Sequence, residues 1–184
     1  MDGGAAGTVA ISSLALGYLG YQGGQYFVAA MSVVVAGSTI GFLLWNKSPA
    51  RIYMGDAGAL FLGILIATLT IRFHPHTENK WTSFSTKILL LAVPILDTSV
   101  AVISRLLRKI SPFQGGKDHL SHRLVRAGMD RPVAVIVLWA ITAFFAFCAV
   151  LIPLVGNKAG ELIVAAALVL WAGLFITFIK TADK

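Results

Sequence analysis

Residues 3–46 read GGAAGTVAISSLALGYLGYQGGQYFVAAMSVVVAGSTIGFLLWN, a run of 44 positions without a Lys, Arg, Asp or Glu. A helix needs about 20 apolar residues to cross a bilayer, so this run is too long for one span and suits two. The segment Gly20-Tyr21-Gln22-Gly23-Gly24-Gln25, rich in glycine and side-chain amides, marks the turn between them. Spans are therefore expected over residues 5–19 and 26–45. Working outward, the remaining apolar runs place four more over 57–73, 87–107, 132–155 and 160–179. The expected fold class is all-α, a polytopic membrane helix bundle of about six transmembrane helices forming one membrane domain. Its polar loops fall at 46–56 and 108–131.

Composition agrees with this reading. The 184 residues are 57% hydrophobic and 12% charged, with mean hydropathy +0.81; a soluble domain carries about 25% charge. The net charge of +7 comes from basic residues lying between apolar runs rather than along one polar face, so nucleic acid is not an expected partner. Membrane lipids and phosphorylated substrates are. Cys148 is the sole cysteine and sits in an apolar run, which excludes a disulfide framework or thiolate metal site within the chain. No positively charged leader precedes the first apolar run, so no cleavable signal peptide is expected. Eleven of the 15 Lys and Arg residues fall on one side of the predicted spans and four on the other. That bias puts both polar loops and both termini in the cytoplasm, and the chain in the cytoplasmic membrane.

Candidate chemistry gathers on that side. In Tyr53-Met54-Gly55-Asp56-Ala57-Gly58 a carboxylate stands at the doorway of an apolar run. Such an acid is costly unless it is solvated, paired or holding a cation. Asp2 shares the same face. Two neighbouring carboxylates repel, and a divalent cation relieves this; magnesium is usually held by one or two carboxylates plus substrate phosphates. The plainer reading makes both acids helix-start residues near positive dipole ends.

The second cluster is Gly115-Gly116-Lys117-Asp118-His119-Leu120-Ser121-His122-Arg123-Leu124. Lys117, His119, His122 and Arg123 suit a diphosphate, with Arg123 able to make bidentate contact. A zinc site would need a third ligand beside the two histidines, for which Asp118 is available. The plainer reading is a basic loop that fixes topology and touches lipid head groups. Asp97 lies mid-span beside Pro94, where an acid is either functional or a hydrogen-bond acceptor across helices. His74 and His76, on the opposite side, read as solvated loop residues. Gly3, Gly7, Gly17 and Gly20 read as close helix packing.

Four motifs in order resemble those of the membrane polyprenyl-phosphate N-acetylhexosamine-1-phosphate transferases, glycosyltransferase family 4. Met1-Asp2-Gly3 with Ala5-Ala6-Gly7 is similar to the family's MDGLAAG segment, and residues 48–58, SPARIYMGDAG, to its SPAKIFMGDAG segment. Pro94-Ile95-Leu96-Asp97-Thr98 fits PxxDT, and residues 119–124, HLSHRL, fit HLHHRL with Ser121 in place of the middle histidine. The resemblance implies transfer of an N-acetylhexosamine-1-phosphate from a UDP-sugar to polyprenyl (undecaprenyl) phosphate, with UMP leaving. It implies Asp56 as the Mg²⁺ ligand (Mn²⁺ as a substitute) and Asp2 in the acidic constellation. His119, His122 and Arg123 would hold the nucleotide-sugar diphosphate. A homodimer is compatible with it. The family has about ten or eleven spans, so the chain is expected to be a C-terminal portion lacking the N-terminal helices and their Asp-Asp motif. Two other readings stay open: an ion-coupled transporter fragment with Asp97 and Asp56 on the ion path, and a non-catalytic membrane module.

Overall fold

The computed structural model describes residues 2–77, 79–111 and 118–181. They form eight α-helices: α1 Gly4–Gln22, α2 Tyr26–Asn46, α3 Gly55–Arg72, α4 Lys80–Leu90, α5 Ala92–Leu107, α6 Leu120–Arg126, α7 Arg131–Leu151 and α8 Asn157–Lys180. A short 3₁₀ turn, Ile152–Leu154, follows α7. Among the described residues there is no strand.

Four helices are long and apolar enough to cross a membrane: α2, α3, α7 with its 3₁₀ extension, and α8; the bent pair α4–α5 makes a fifth. The expected sixth span, α1, is less apolar because Thr8, Ser12 and Ser13 lie along it. Ten of its 19 residues are buried, so these hydroxyls face protein rather than lipid. Small residues make that enclosure close. Ala6, Ala10, Ser13, Gly17 and Gly20 of α1 are buried, as are Ala29, Ser32 and Ala36 of α2. By contrast α3 buries only Ile66, Leu69 and Thr70, and turns Leu60, Phe61, Ile64 and Ile71 outward.

The helix expected over 87–107 is two helices meeting at Leu91 with a 74° bend. Pro94 explains the break. Its ring cannot donate a hydrogen bond and clashes with the carbonyl four residues earlier, that of Leu90. Trp171 of α8 donates its indole N–H to the Ala92 carbonyl at 3.0 Å, tying the elbow to α8. The other spans match their expected places, with α1 extending three residues further and α8 beginning three residues earlier.

Far from the polar loops, the turn around Gly23 is tied to the segment after α3. Gln25 and His74 exchange two bonds at 2.7 and 2.8 Å, and the His76 ring bonds the Gly23 carbonyl at 2.8 Å. His76 is thus a tether, not merely solvated. The larger core packs Leu16, Phe73, Leu89, Phe145 and Ile152 together. A second core, Leu96, Val100, Leu120, Leu124, Leu138 and Phe178, seats α6 against α5, α7 and α8. Each fully buried leucine contributes about 1.5–3 kcal/mol relative to water, enough to fix a helix of seven residues that would not persist alone.

Candidate active site

A cavity of about 880 Å³ runs between α1, α3, α5 and the α6 loop. Its walls are mainly apolar: Val9, Leu60, Leu62, Ile66, Leu91, Val93, Ile95 and Leu138. Asp97, Thr98, Ser99, His119, Ser121 and His122, with Thr8 of α1, supply the polar part. Met54 and Ala59, on either side of Asp56 in sequence, line the same cavity as His119 and His122, as do Gly4 and Ala5 beyond Asp2. The starts of α1 and α3 and the histidine loop therefore meet at one chamber.

Asn46 holds the first two of these together. Its carbonyl accepts from Gly3 N at 2.9 Å, and its amide donates to the Ile52 carbonyl at 2.8 Å. One oxygen of Asp2 accepts from Ala50 N at 3.2 Å. Asp2 is thereby set against the segment that leads to Asp56. Asp56 is exposed in the first turn of α3, directly after Gly55, whose φ of 68° is a left-handed conformation that glycine adopts without strain. Close to Asp2, the start of α1 depends on Gly7. A Cβ there would fall inside the Trp139 indole, whose Nε1 reaches the Gly4 carbonyl at 3.4 Å.

Asp97 accepts hydrogen bonds across helices, one of its two expected readings, but its partners are the short α6 and the residue before it rather than another span. One carboxylate oxygen accepts from Leu120 N at 2.6 Å, and the other meets His119 Nδ1 at 2.8 Å. An ionised carboxylate only accepts, so Nδ1 carries the proton in this pair. The hydrogen bond that the ring donates to Asp97 raises the pKa of His119 above its ordinary 6.5; burial works against this, and the Asp97 charge adds to it.

Arg123 departs from the expected diphosphate contact. It is fully buried, and its guanidinium donates to the Asp118 carbonyl at 2.8 Å, the Phe178 carbonyl at 2.7 Å and Ser104 Oγ at 2.6 Å. Its planar fork is spent on joining the loop to α5 and α8. The Asp118 side chain is held too, by Arg105 at 3.0 Å and Arg108 at 2.6 Å. Burial raises its pKa, but the two arginines outweigh this and leave it below the ordinary 3.8. A carboxylate so engaged is not offered to a zinc ion beside His119 and His122. Among the described residues no group of three His, Cys, Asp or Glu side chains is placed to hold a metal. Lys117, with Gly115 and Gly116, lies outside the described residues.

Sequence reasoning did not find this latch or the Asn46 bridge. The signals were present: Ser104, Arg105 and Arg108 within five positions at one helix end, and an asparagine closing a 44-residue uncharged run. Neither names its partner without the fold.

Fold and site together define a multi-pass helical membrane protein that brings a histidine loop to the head of an apolar cavity. Residues 1–74 match the family model of glycosyl transferase family 4. It is 35% identical over 179 residues to a Bacillus subtilis protein named as a probable undecaprenyl-phosphate N-acetylglucosaminyl 1-phosphate transferase, covering 97% of this chain and 46% of that one. It is 35% identical over 165 residues to the decaprenyl-phosphate N-acetylglucosaminephosphotransferase of Mycobacterium tuberculosis, 78% of this chain and 41% of that one. With the phospho-N-acetylmuramoyl-pentapeptide-transferase of Anoxybacillus flavithermus it shares 34% identity over 158 residues, 83% of this chain and 45% of the relative. The chain spans about half the length of the curated relatives it matches. No solved structure matches it.

Proposed function

We propose that the chain takes part in transferring an N-acetylhexosamine-1-phosphate from a UDP-sugar to a polyprenyl phosphate at the cytoplasmic face of the membrane, with release of UMP. The observation that carries this reading is the cavity: an apolar chamber suited to an isoprenoid tail, headed by His119 and His122, suited to phosphate oxygens. The names of the relatives supply the substrate classes.

Phosphoryl transfer of this kind rests on positioning and on neutralising charge. His119 takes the donor diphosphate or the attacking phosphate at the cavity head, and His122 lies one turn further along the same loop. Asp56 fits a magnesium ligand in its chemistry, a hard oxygen donor exposed to water and substrate at the start of α3. Asp2, with one oxygen bound to Ala50, helps to shape the acidic edge. Bound Mg²⁺, or Mn²⁺ in its place, would neutralise diphosphate charge. Arg123 supports the loop from beneath. The transporter reading loses its main residue, because both Asp97 oxygens are engaged within the loop.

The test is UMP release from UDP-N-acetylglucosamine with undecaprenyl phosphate and Mg²⁺, using membranes that carry the chain alone and the reading frame extended upstream. Turnover that Asp56→Asn abolishes is the expected result. Turnover unchanged in Asp56→Asn refutes the metal assignment. No turnover in either format refutes the transferase reading and favours a non-catalytic membrane module.

A further inference from the structure

We propose that Asp97 is a positioning residue that acts through His119: its carboxylate fixes the ring with Nδ1 turned inward and Nε2 left to receive a phosphate oxygen at the head of the cavity. The inference rests on the phosphate-handling role proposed above.

Three observations converge on it. The two Asp97 oxygens divide their work, one to the His119 ring at 2.8 Å and one to Leu120 N at 2.6 Å, so one side chain sets both the ring and the backbone beside it. The His119 ring lines the cavity and is half exposed, and among the described residues its Nε2 bonds no protein group. The backbone around it is braced, because the Arg105–Asp118–Arg108 bridges hold the residue before it and the buried Arg123 ties the following turn to the Asp118 and Phe178 carbonyls. A histidine with Nδ1 bound to a carboxylate has one tautomer when neutral and is stabilised as a cation when protonated. In the cation Nε2 carries a proton and donates a charge-assisted bond to phosphate. The charged groups acting on the ring are Asp97 and Arg105 from α5 and Asp118 from the loop. The same cavity is lined by His122 from α6, which also titrates, and from α1, α3 and α7 by Gly4, Met54 and Leu138, which do not. Because its folded pKa is raised, His119 is the charged donor below its ordinary 6.5 and stays so until pH rises through the higher folded value.

Two substitutions separate this role from plain helix support. Asp97→Asn keeps a carbonyl for Leu120 N and removes the charge; Asp97→Ala removes both. Nitrogen NMR of ¹⁵N-histidine-labelled full chain in detergent, with His119→Asn to assign the signal, reads tautomer and titration directly. UDP is the probe. The expected results are an Nδ1–H tautomer in the wild type and an Nε2 signal that moves with UDP. Asp97→Asn should lower the His119 titration and weaken UDP binding about 10- to 150-fold, the worth of one hydrogen bond to a charged group. In turnover assays its pH–rate profile should move to lower pH by the same shift as the titration. A wild-type titration, UDP affinity and pH–rate profile in Asp97→Asn, with loss only in Asp97→Ala, would overturn the proposal and leave Asp97 as a backbone support. An intact tautomer and UDP response without UMP release would instead refute the transferase reading while upholding the Asp97–His119 pair.

Discussion

Arg123 gives the sharpest prediction, because the sequence motif and the structure assign it different work. Replace it with methionine, which is apolar and of similar reach. Three bonds from a charged donor are lost, each worth about 1.5–3 kcal/mol, and two backbone carbonyls and the Ser104 hydroxyl lose their donor in a buried place. Against this, the cost of holding a buried cation, several kcal/mol, disappears. The net destabilisation is about 2–4 kcal/mol. For a chain of this size that lowers Tm by roughly 5–15 °C. Cys148 supplies the assay: it is the sole cysteine and 8% exposed, so a thiol-reactive dye reports unfolding in detergent. Arg123→Lys sharpens the test. An ammonium keeps the charge for a phosphate but cannot reach three acceptors held around a planar fork. The latch predicts that lysine unfolds nearly as early as methionine. If both variants melt within about 1 °C of the wild type while UDP binding falls, the guanidinium faces ligand and the latch is wrong.

Gly7→Val should cost about 1–3 kcal/mol in the same dye assay by driving a side chain into Trp139, and Trp139→Phe should restore part of it. Asp118 is held below its ordinary 3.8, so its bridges add stability above that value and lose it as pH falls through the lower folded pKa. Tm should therefore drop on acidification, and Asp118→Asn should lower the neutral Tm and flatten that acid limb. Ala67→Trp narrows the apolar part of the cavity and should raise KM for undecaprenyl phosphate about tenfold while leaving KM for the UDP-sugar within about twofold. Equal changes in both would detach the chamber from the lipid.

The spans were legible because uncharged length is a one-dimensional property: 3–46 declares two helices whatever surrounds it. The elbow was half legible. Pro94 could be seen, but a kinked helix and a broken one share that letter, and the 74° angle at Leu91 depends on packing with neighbours such as Trp171. Candidate polar groups were visible as residue types, yet their division of labour was not. Arg123 and His119 are four apart in one short motif; one is sealed between α5 and α8 and the other lines the cavity. Only packing tells them apart, since a cation that donates three bonds inside and one that awaits a ligand share the same letter pattern. Asp97 read as an isolated acid in a span because its partners, His119 and Leu120, lie more than 20 positions away and reach it through the return of the chain.

The 74° break at Leu91 has a mechanical consequence. A straight rod passes any push at one end to the other, and bilayers differ in thickness by several ångströms between compartments and lipid mixtures. Here the rod is divided into two short leaves whose joint is sealed in the core by Leu89, Leu90 and Ala92. The leaf beyond the joint carries Asp97 together with its bonded loop, so carboxylate and imidazole are placed by one continuous piece of structure.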